Sequence, residues 1–253
     1  QDINKAIHYF SLAANQSYSK AQLFLGYIYY NGEYIQQDIN KAIHYLSLAA
    51  NQYHSEAQFF LGCIYCNGEY IERDINKAIH YFSLAANQSI PKAQLILGHI
   101  HYDGQYVQRD INKAIYYLSL ASNQNYLLAQ LILGDIYYNG QYIQRDINKA
   151  IHYLSLAANQ NYLLAQLILG DIYQDGQDIQ RDINKAIHYY SLASNQNNPK
   201  AQYNLGYIYY DGKYIERDIN KAIHYLSLAA DQNYPEAQYN LGYIYYDGKY
   251  IQR

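Results

Sequence analysis

Two cysteines in 253 residues are too few for a disulfide framework, which points to a reducing compartment and a cytoplasmic location. No run of about 18 apolar residues occurs, so no insertion of this segment into a membrane is expected. The formal net charge is -3, and lysine and arginine fall at regular, scattered positions. Without a basic stripe for phosphates, nucleic acid is an unsuitable partner. Methionine is absent, even from the first position, and no targeting signal is visible, so any signal peptide or anchor would lie on other sequence. No phosphate loop, nucleophile elbow or paired-carboxylate constellation appears, so the chain is read as no enzyme, with no cofactor.

What is present is a period. The fifteen residues "DINKAIHYLSLAANQ" run from Asp38 to Gln52 and again, letter for letter, from Asp146 to Gln160. Close variants begin at Asp2, Asp74, Asp110, Asp182 and Asp218, giving seven copies of a 36-residue unit. A period of this length signals stacked supersecondary units. Each unit carries two helical patterns. In the second, Asn40, His44, Ser47 and Asn51 make a narrow polar stripe, and Ile39, Ala42, Ile43, Tyr45, Leu46, Leu48, Ala49 and Ala50 fill the rest, predicting one wet side and packed remaining sides. Asp38 precedes that helix as an N-cap. In the first pattern, "AQLFLGYIYYNG", Ala21, Leu25 and Ile28 form the core face and Gly32 ends the helix.

Proline and glycine obey the same register. All three prolines, Pro91, Pro199 and Pro235, fall in the first turn of the first helix, where a missing N–H costs nothing. The 14 glycines occupy two positions, the helix terminator and a site inside the first helix such as Gly26 or Gly98. A glycine inside a helix costs about 1 kcal/mol relative to alanine. Its recurrence implies close approach of a neighbouring helix. The chain is therefore expected to be all-α: an α/α solenoid of seven helix-turn-helix repeats wound into a right-handed superhelix.

Read through Ala57, Leu61, Gly62, Tyr65, Gly68, Asp74, Lys77, Ala78, Tyr81, Ala85 and Ala86, the unit resembles the Sel-1-like repeat (SLR) family, relatives of the tetratricopeptide repeat. The likeness covers residues 1–253 as a single array. Two features depart from the family pattern. The loops read "GEYI", "GQYV", "GQDI" or "GKYI" (the last beginning at Gly212 and Gly248), without the family's second glycine. After the second helix, where the family favours glycine, stand Ser17, Tyr53, Ser89, Asn125, Asn161, Asn197 and Asn233. Asparagine is the next best left-handed cap. The resemblance implies a non-catalytic scaffold or adaptor that binds a protein or peptide along a concave face lined by the first helices.

Comparing the units separates what stacking demands from what it leaves free. On the first helix the varying stripe reads Tyr27, Cys63, His99, Asp135, Asp171, Tyr207 and Tyr243. One turn later it reads Tyr30, Cys66, Tyr102, Tyr138, Gln174, Tyr210 and Tyr246. One turn earlier come Leu23 and its equivalents through Tyr239. These residues are the candidate partner-binding surface, with a polar and acidic centre at His99, Asp135 and Asp171. Drift at partly exposed positions of a duplicated gene is the competing account. Binding of glycans or small ligands on the tyrosines, or service as the regulatory repeat region of a larger signalling protein, are the alternative functions. Adjacent units should stand about 10 Å apart, too far for His99, Asp135 and Asp171 to converge on one metal. Cys63 and Cys66 offer two ligands where zinc needs four. The histidines at 8, 44, 80, 152, 188 and 224 are expected on the solvated side of the second helix. The chain opens on a second-type helix and closes on a first-type one, so the array is expected to be a segment of a longer protein. Apolar residues such as Ile3, Ile7 and Phe10 would then allow end-to-end self-association.

Overall fold

The computed structural model describes residues 2–248; the last "GKYI" loop, from Lys249 on, lies outside the described residues. Among the described residues there are fourteen α-helices and no strand. The chain divides into two compact units, Gln1–Ala129 and Gln130–Arg253. The helices are α1 (Ile3–Asn15), α2 (Ser19–Asn31), α3 (Ile39–Asn51), α4 (Ser55–Asn67), α5 (Ile75–Asn87), α6 (Pro91–Asp103), α7 (Ile111–Ser122), α8 (Leu127–Asn139), α9 (Ile147–Asn159), α10 (Leu163–Asp175), α11 (Ile183–Asn195), α12 (Pro199–Asp211), α13 (Ile219–Ala230) and α14 (Pro235–Asp247). Within the first unit α2 packs on α3, α4 on α5 and α6 on α7; within the second α10 packs on α11 and α12 on α13. Each unit is a stretch of all-α repeat solenoid.

The glycine inside each first helix sets this pairing. A Cβ on Gly98 would stand 2.6 Å from Leu118 Cγ, and one on Gly206 would stand 2.6 Å from Leu226 Cγ. Gly62 accepts the larger Phe82, whose ring carbons would be 2.6 Å from an added Cβ. Leu118, Leu226 and Phe82 are almost fully buried. The helix backbone itself is thus the surface on which the partner's core side chain rests. Gly242 in α14 is the internal control, with nothing within 4 Å.

A buried glutamine then joins three successive helices. Gln22 Nε2 donates to the carbonyl of Ala14 at 3.1 Å, while its Oε1 accepts from Gln52 Nε2 at 2.7 Å. Gln58 repeats this with Ala50 and Gln88, and Gln94 with Ala86 and Gln124. In the second unit Gln166 bonds Ala158 and Gln196. Each amide is at most 2% exposed, so a missing partner would leave a desolvated polar group, at a cost of about 1–3 kcal/mol.

Helix ends follow the sequence. The Asp110 carboxylate accepts the backbone N–H of Lys113 at 3.0 Å, and Asp2, Asp38, Asp74, Asp146, Asp182 and Asp218 do likewise with the lysine three residues on. Pro91, Pro199 and Pro235 open α6, α12 and α14. Ser17 sits at φ 61°, with its N–H on Ala14 and that of Tyr18 on Ala13, closing α1 with two reversed bonds. Tyr53 takes the same left-handed conformation at φ 61°, which asparagine tolerates and an aromatic residue resists.

The second helix departs from expectation at one place. Leu48 is exposed rather than packed, as is its equivalent Leu12. The polar face is therefore wider than the stripe of Asn40, His44, Ser47 and Asn51. The equivalent Leu84, Leu120, Leu156, Leu192 and Leu228 are half-buried, so this widening is confined to α1 and α3.

Two outcomes are expected. Gly98→Ala should lower the midpoint of thermal unfolding, because overpacking costs about 1–3 kcal/mol, while Gly242→Ala should not, since alanine favours the helix by up to about 1 kcal/mol where space is open. Shifts of the same sign in both would show that close approach is not what requires glycine. The second concerns acid. The Lys113 N–H holds the Asp110 carboxyl below the usual carboxylate range, against partial desolvation and helped by the Lys113 ammonium; Asp38, Asp74, Asp146 and Asp218 are lowered in the same way. A carboxyl with a lowered folded pKa adds stability that is complete above its unfolded value of about 3.9 and is lost as pH falls through the folded value. Melting followed by circular dichroism from about pH 6 to about pH 3 should show a steep loss. Asp110→Asn, which caps without titrating, should soften that slope, and an unchanged slope would refute the role of the cap.

Candidate functional site

In the first unit the varying stripe begins as an aromatic cluster. The rings of Tyr27 and Tyr30 both meet Phe60 edge-on at 4.8 Å between centroids, and Tyr30 meets Tyr70 at 5.8 Å. Burial raises the pKa of both hydroxyls, with Glu56 beside Tyr27 and Glu69 beside Tyr30 adding to it. Cys63 and Cys66 follow as free, half-buried thiols against the core around Phe82. Burial pushes the Cys63 thiol up to about 11, with Cys66 adding to the rise and Lys92 opposing it. His99 is exposed and Tyr102 half-buried. One turn earlier Leu23 is core, whereas Phe59 and Leu95 are half-buried.

In the second unit the stripe turns polar. Asp135 is exposed and accepts the Asn139 side-chain amide at 2.6 Å. Tyr138 lies beneath the Arg145 guanidinium, 5.1 Å from the ring centroid. Asp171 is tied down. Its Oδ1 accepts the hydroxyl of Tyr190 at 2.6 Å and its Oδ2 the ammonium of Lys200 at 2.9 Å, while Gln174 Oε1 also accepts from Tyr190 at 2.9 Å. Tyr207 and Tyr243 are about half exposed, at 42% and 51%, and Tyr246 is open to solvent at 90%. Tyr210 is half-buried.

Tyr190 was not singled out by the sequence, although a signal existed. At its register stand Leu46, Phe82, Leu118, Leu154 and Leu226, all apolar, so Tyr190 alone brings a hydroxyl into the buried layer. The bonds to Asp171 and Gln174 satisfy it there. Burial first, then the Asp171 carboxylate, raises the Tyr190 pKa far above its ordinary value, so it remains a neutral donor. Asp171 thus serves packing as well as the surface. A second overlooked row is structural. Tyr29 stacks on Tyr45 at 5.8 Å and 5° with the Lys41 ammonium 5.0 Å above it, and Tyr65, Tyr137, Tyr173 and Tyr209 repeat this sandwich. His101 takes the tyrosine's place on Tyr117, its pKa lowered by burial and by Lys113.

The histidines at 8, 44, 80, 152, 188 and 224 are exposed on the second helices. Among the described residues no three of His, Cys, Asp and Glu are disposed to hold a metal ion. No helix among them is long and apolar enough to cross a membrane.

Comparison with known proteins places the repeats. The Sel1 repeat model matches residues 1–18, 19–54, 55–90, 91–126, 127–162, 163–198, 199–234 and 235–253. A Sel1 repeat protein from Oxalobacter formigenes is 32% identical over 97% of this chain and 71% of its own, with a TM-score of 0.70. The protective antigen c5321 of uropathogenic Escherichia coli, which displays an SLR fold, is 27% identical over 97% of this chain and 60% of its own, with a TM-score of 0.57. Comparison with curated proteins returns no match.

The Cys63 environment carries a chemical consequence. Moving a thiol from 9.0 to about 11 lowers its thiolate fraction near pH 8 by about 100-fold. In a Cys66→Ser variant, which removes the smaller contribution of Cys66 and leaves that of burial, alkylation of Cys63 by iodoacetamide should still be slower than that of an unfolded control by at least about tenfold. Labelling at the control rate would show that the thiol is not desolvated.

Proposed function

We propose, from the premise that this chain belongs to the Sel1 repeat family, that it is a non-catalytic scaffold binding a protein or peptide along the first-helix face expected to be concave. Sel1 repeat proteins are generally scaffolds for protein interaction. One observation carries the finer reading. Alanine, glutamine, leucine, glycine and isoleucine are fixed on the first helices, whereas the accessible stripe changes from unit to unit. Stacking supplies the reason for the first set. A surface whose chemistry differs at each step suits recognition of a non-repeating partner.

The stripe's residues fit that role energetically. Tyrosine offers large contact area with only two side-chain torsions to freeze, and such residues dominate binding hot spots. His99 and Asp135 add polar selection at the surface. Tyr243 and Tyr246 present more open ring area than Tyr207, while Tyr27 and Tyr30 present the edges of an already assembled cluster.

The test uses affinity capture with the intact chain, followed by binding measurements with each purified protein recovered. His99→Ala with Tyr102→Ala, and separately Tyr243→Ala with Tyr246→Ala, are set beside a control pair on the second helices, His44→Ala with His80→Ala. At least one stripe pair should raise Kd tenfold or more, equivalent to about 1.4 kcal/mol, with the control unchanged. Unchanged Kd in both stripe pairs, or saturable binding to a glycan array with no protein recovered, would overturn the proposal.

A further inference from the structure

In the second unit one repeat breaks a side-chain pair that its neighbours keep, as the repeat of Cys66 does in the first unit, where Arg73 lies over Tyr106 at 5.4 Å; a cavity stands at the break in the second unit. In the second unit the tyrosine ending α8 and that ending α12 lie beneath the arginine of their own loop: Arg145 over Tyr138 at 5.1 Å, Arg217 over Tyr210 at 5.8 Å. In the intervening repeat that tyrosine is Gln174. Its arginine, Arg181, still holds the helix end, donating to the carbonyls of Gln174 at 2.7 Å and Asp175 at 2.9 Å. The guanidinium lies instead 4.3 Å from the ring centroid of Tyr214, on the following loop. Gln174 and Arg181 both line a cavity of about 270 Å³.

Its lining is mixed, more polar than apolar and partly open to solvent. Ile183 and Ile208 are buried apolar surface, Ile215 adds to it, and Tyr207 contributes a ring, while the ring of Tyr214 already carries Arg181 and Lys213. A cavity of about 150 Å³ lined by apolar side chains accommodates benzene, so this one has room for a substituted ring. The charged groups around it balance, Arg181 and Lys213 against Asp175 and Asp211. That balance favours an uncharged guest over a phosphorylated one. Asp175 and Asp211 offer acceptors for a hydroxyl, which a phenylalanine would leave unused, whereas Gln174 Oε1 already accepts from Tyr190.

We propose that this cavity receives the side chain of a tyrosine from a docked peptide, its ring standing in for the one that Gln174 lacks relative to Tyr138 and Tyr210. The inference rests on the partner-binding reading of the first-helix stripe and names one anchor for it. Tyr207 belongs to both the stripe and the cavity, so a peptide lying along the stripe passes the opening.

The experiment titrates the intact chain, ¹³C-labelled at isoleucine methyls, with N-acetyl-L-tyrosinamide, using N-acetyl-L-alaninamide as the blank. Saturable shifts at Ile183, Ile208 and Ile215, with a Kd on the order of millimolar, are expected for the first probe alone. Gln174→Tyr supplies the missing ring from within and should weaken binding at least tenfold. Tyr207→Ala removes a wall without filling the space and should weaken it too, which covers the case of a Gln174→Tyr variant that melts early. No saturable shift in the wild type, equal response to both probes, or undiminished affinity in both variants would overturn the proposal. Failure here with stripe-dependent protein capture intact would sink the tyrosine pocket alone. Tyrosinamide binding with capture indifferent to the stripe would sink the scaffold reading alone.

Discussion

Contact between a bare stretch of helix backbone and one buried side chain organises each pair of a first helix and the second helix that follows it, from Gly26 with Leu46 to Gly206 with Leu226. Because Gly98 has no Cβ, Leu118 reaches the backbone of α6, and the two axes approach more closely than ordinary side chains would permit. The close approach brings the ends of the pair together, which lets Gln94 span from Ala86 to Gln124 across three helices. It also brings Lys113 near enough to His101, which stands where other repeats hold tyrosine, to add to the lowering of its pKa that burial causes. Remove the glycine and these longer-range bonds lose their spacing. The tolerance of Gly62 for phenylalanine at Phe82, and of Gly170 for Tyr190, shows that the notch demands a flat or branched side chain and not leucine alone.

Much of this was legible in the sequence because it is local and repeated. Asp110 as a cap, Pro91 in the first turn, Gly104 as terminator and Ser17 as a left-handed residue depend only on neighbours a few positions away. Seven copies made each rule visible. The glutamine clamp was less so: Gln94 was seen not to vary, but its partners Ala86 and Gln124 lie 8 and 30 residues away on other helices. Leu48 was misplaced because a helix pattern marks apolar residues without saying where the neighbouring helices stop.

The candidate surface was the harder case, for a physical reason. Varying positions reveal freedom from stacking, not contact with a partner. Asp171 illustrates the difference, since its variation is tied to the hydroxyl of Tyr190 and the ammonium of Lys200, residues 19 and 29 positions further on. One substitution in the buried layer, Tyr190, is thus met by an aspartate that the preceding repeat also carries as Asp135, and Lys200 reaches the same carboxylate from the surface. The cavity beside Gln174 was likewise hidden, because its walls come from three elements, near Gln174, near Ile183 and from Tyr207 to Ile215, that are distant in sequence.

The glutamine clamp also governs how such an array grows. The clamps of Gln22, Gln58, Gln94 and Gln166 donate backward to a carbonyl of the preceding second helix and accept from the amide closing the next one, whereas Gln130 accepts from Gln160 but its buried amide nitrogen finds no partner. A whole unit inserted or removed in register presents the same donor and acceptor to both neighbours and leaves all clamps shut. A cut inside a unit strands a buried amide. Array length is therefore adjustable in steps of 36 residues, and duplication or loss of entire repeats is the cheap route by which this architecture lengthens or shortens its reach.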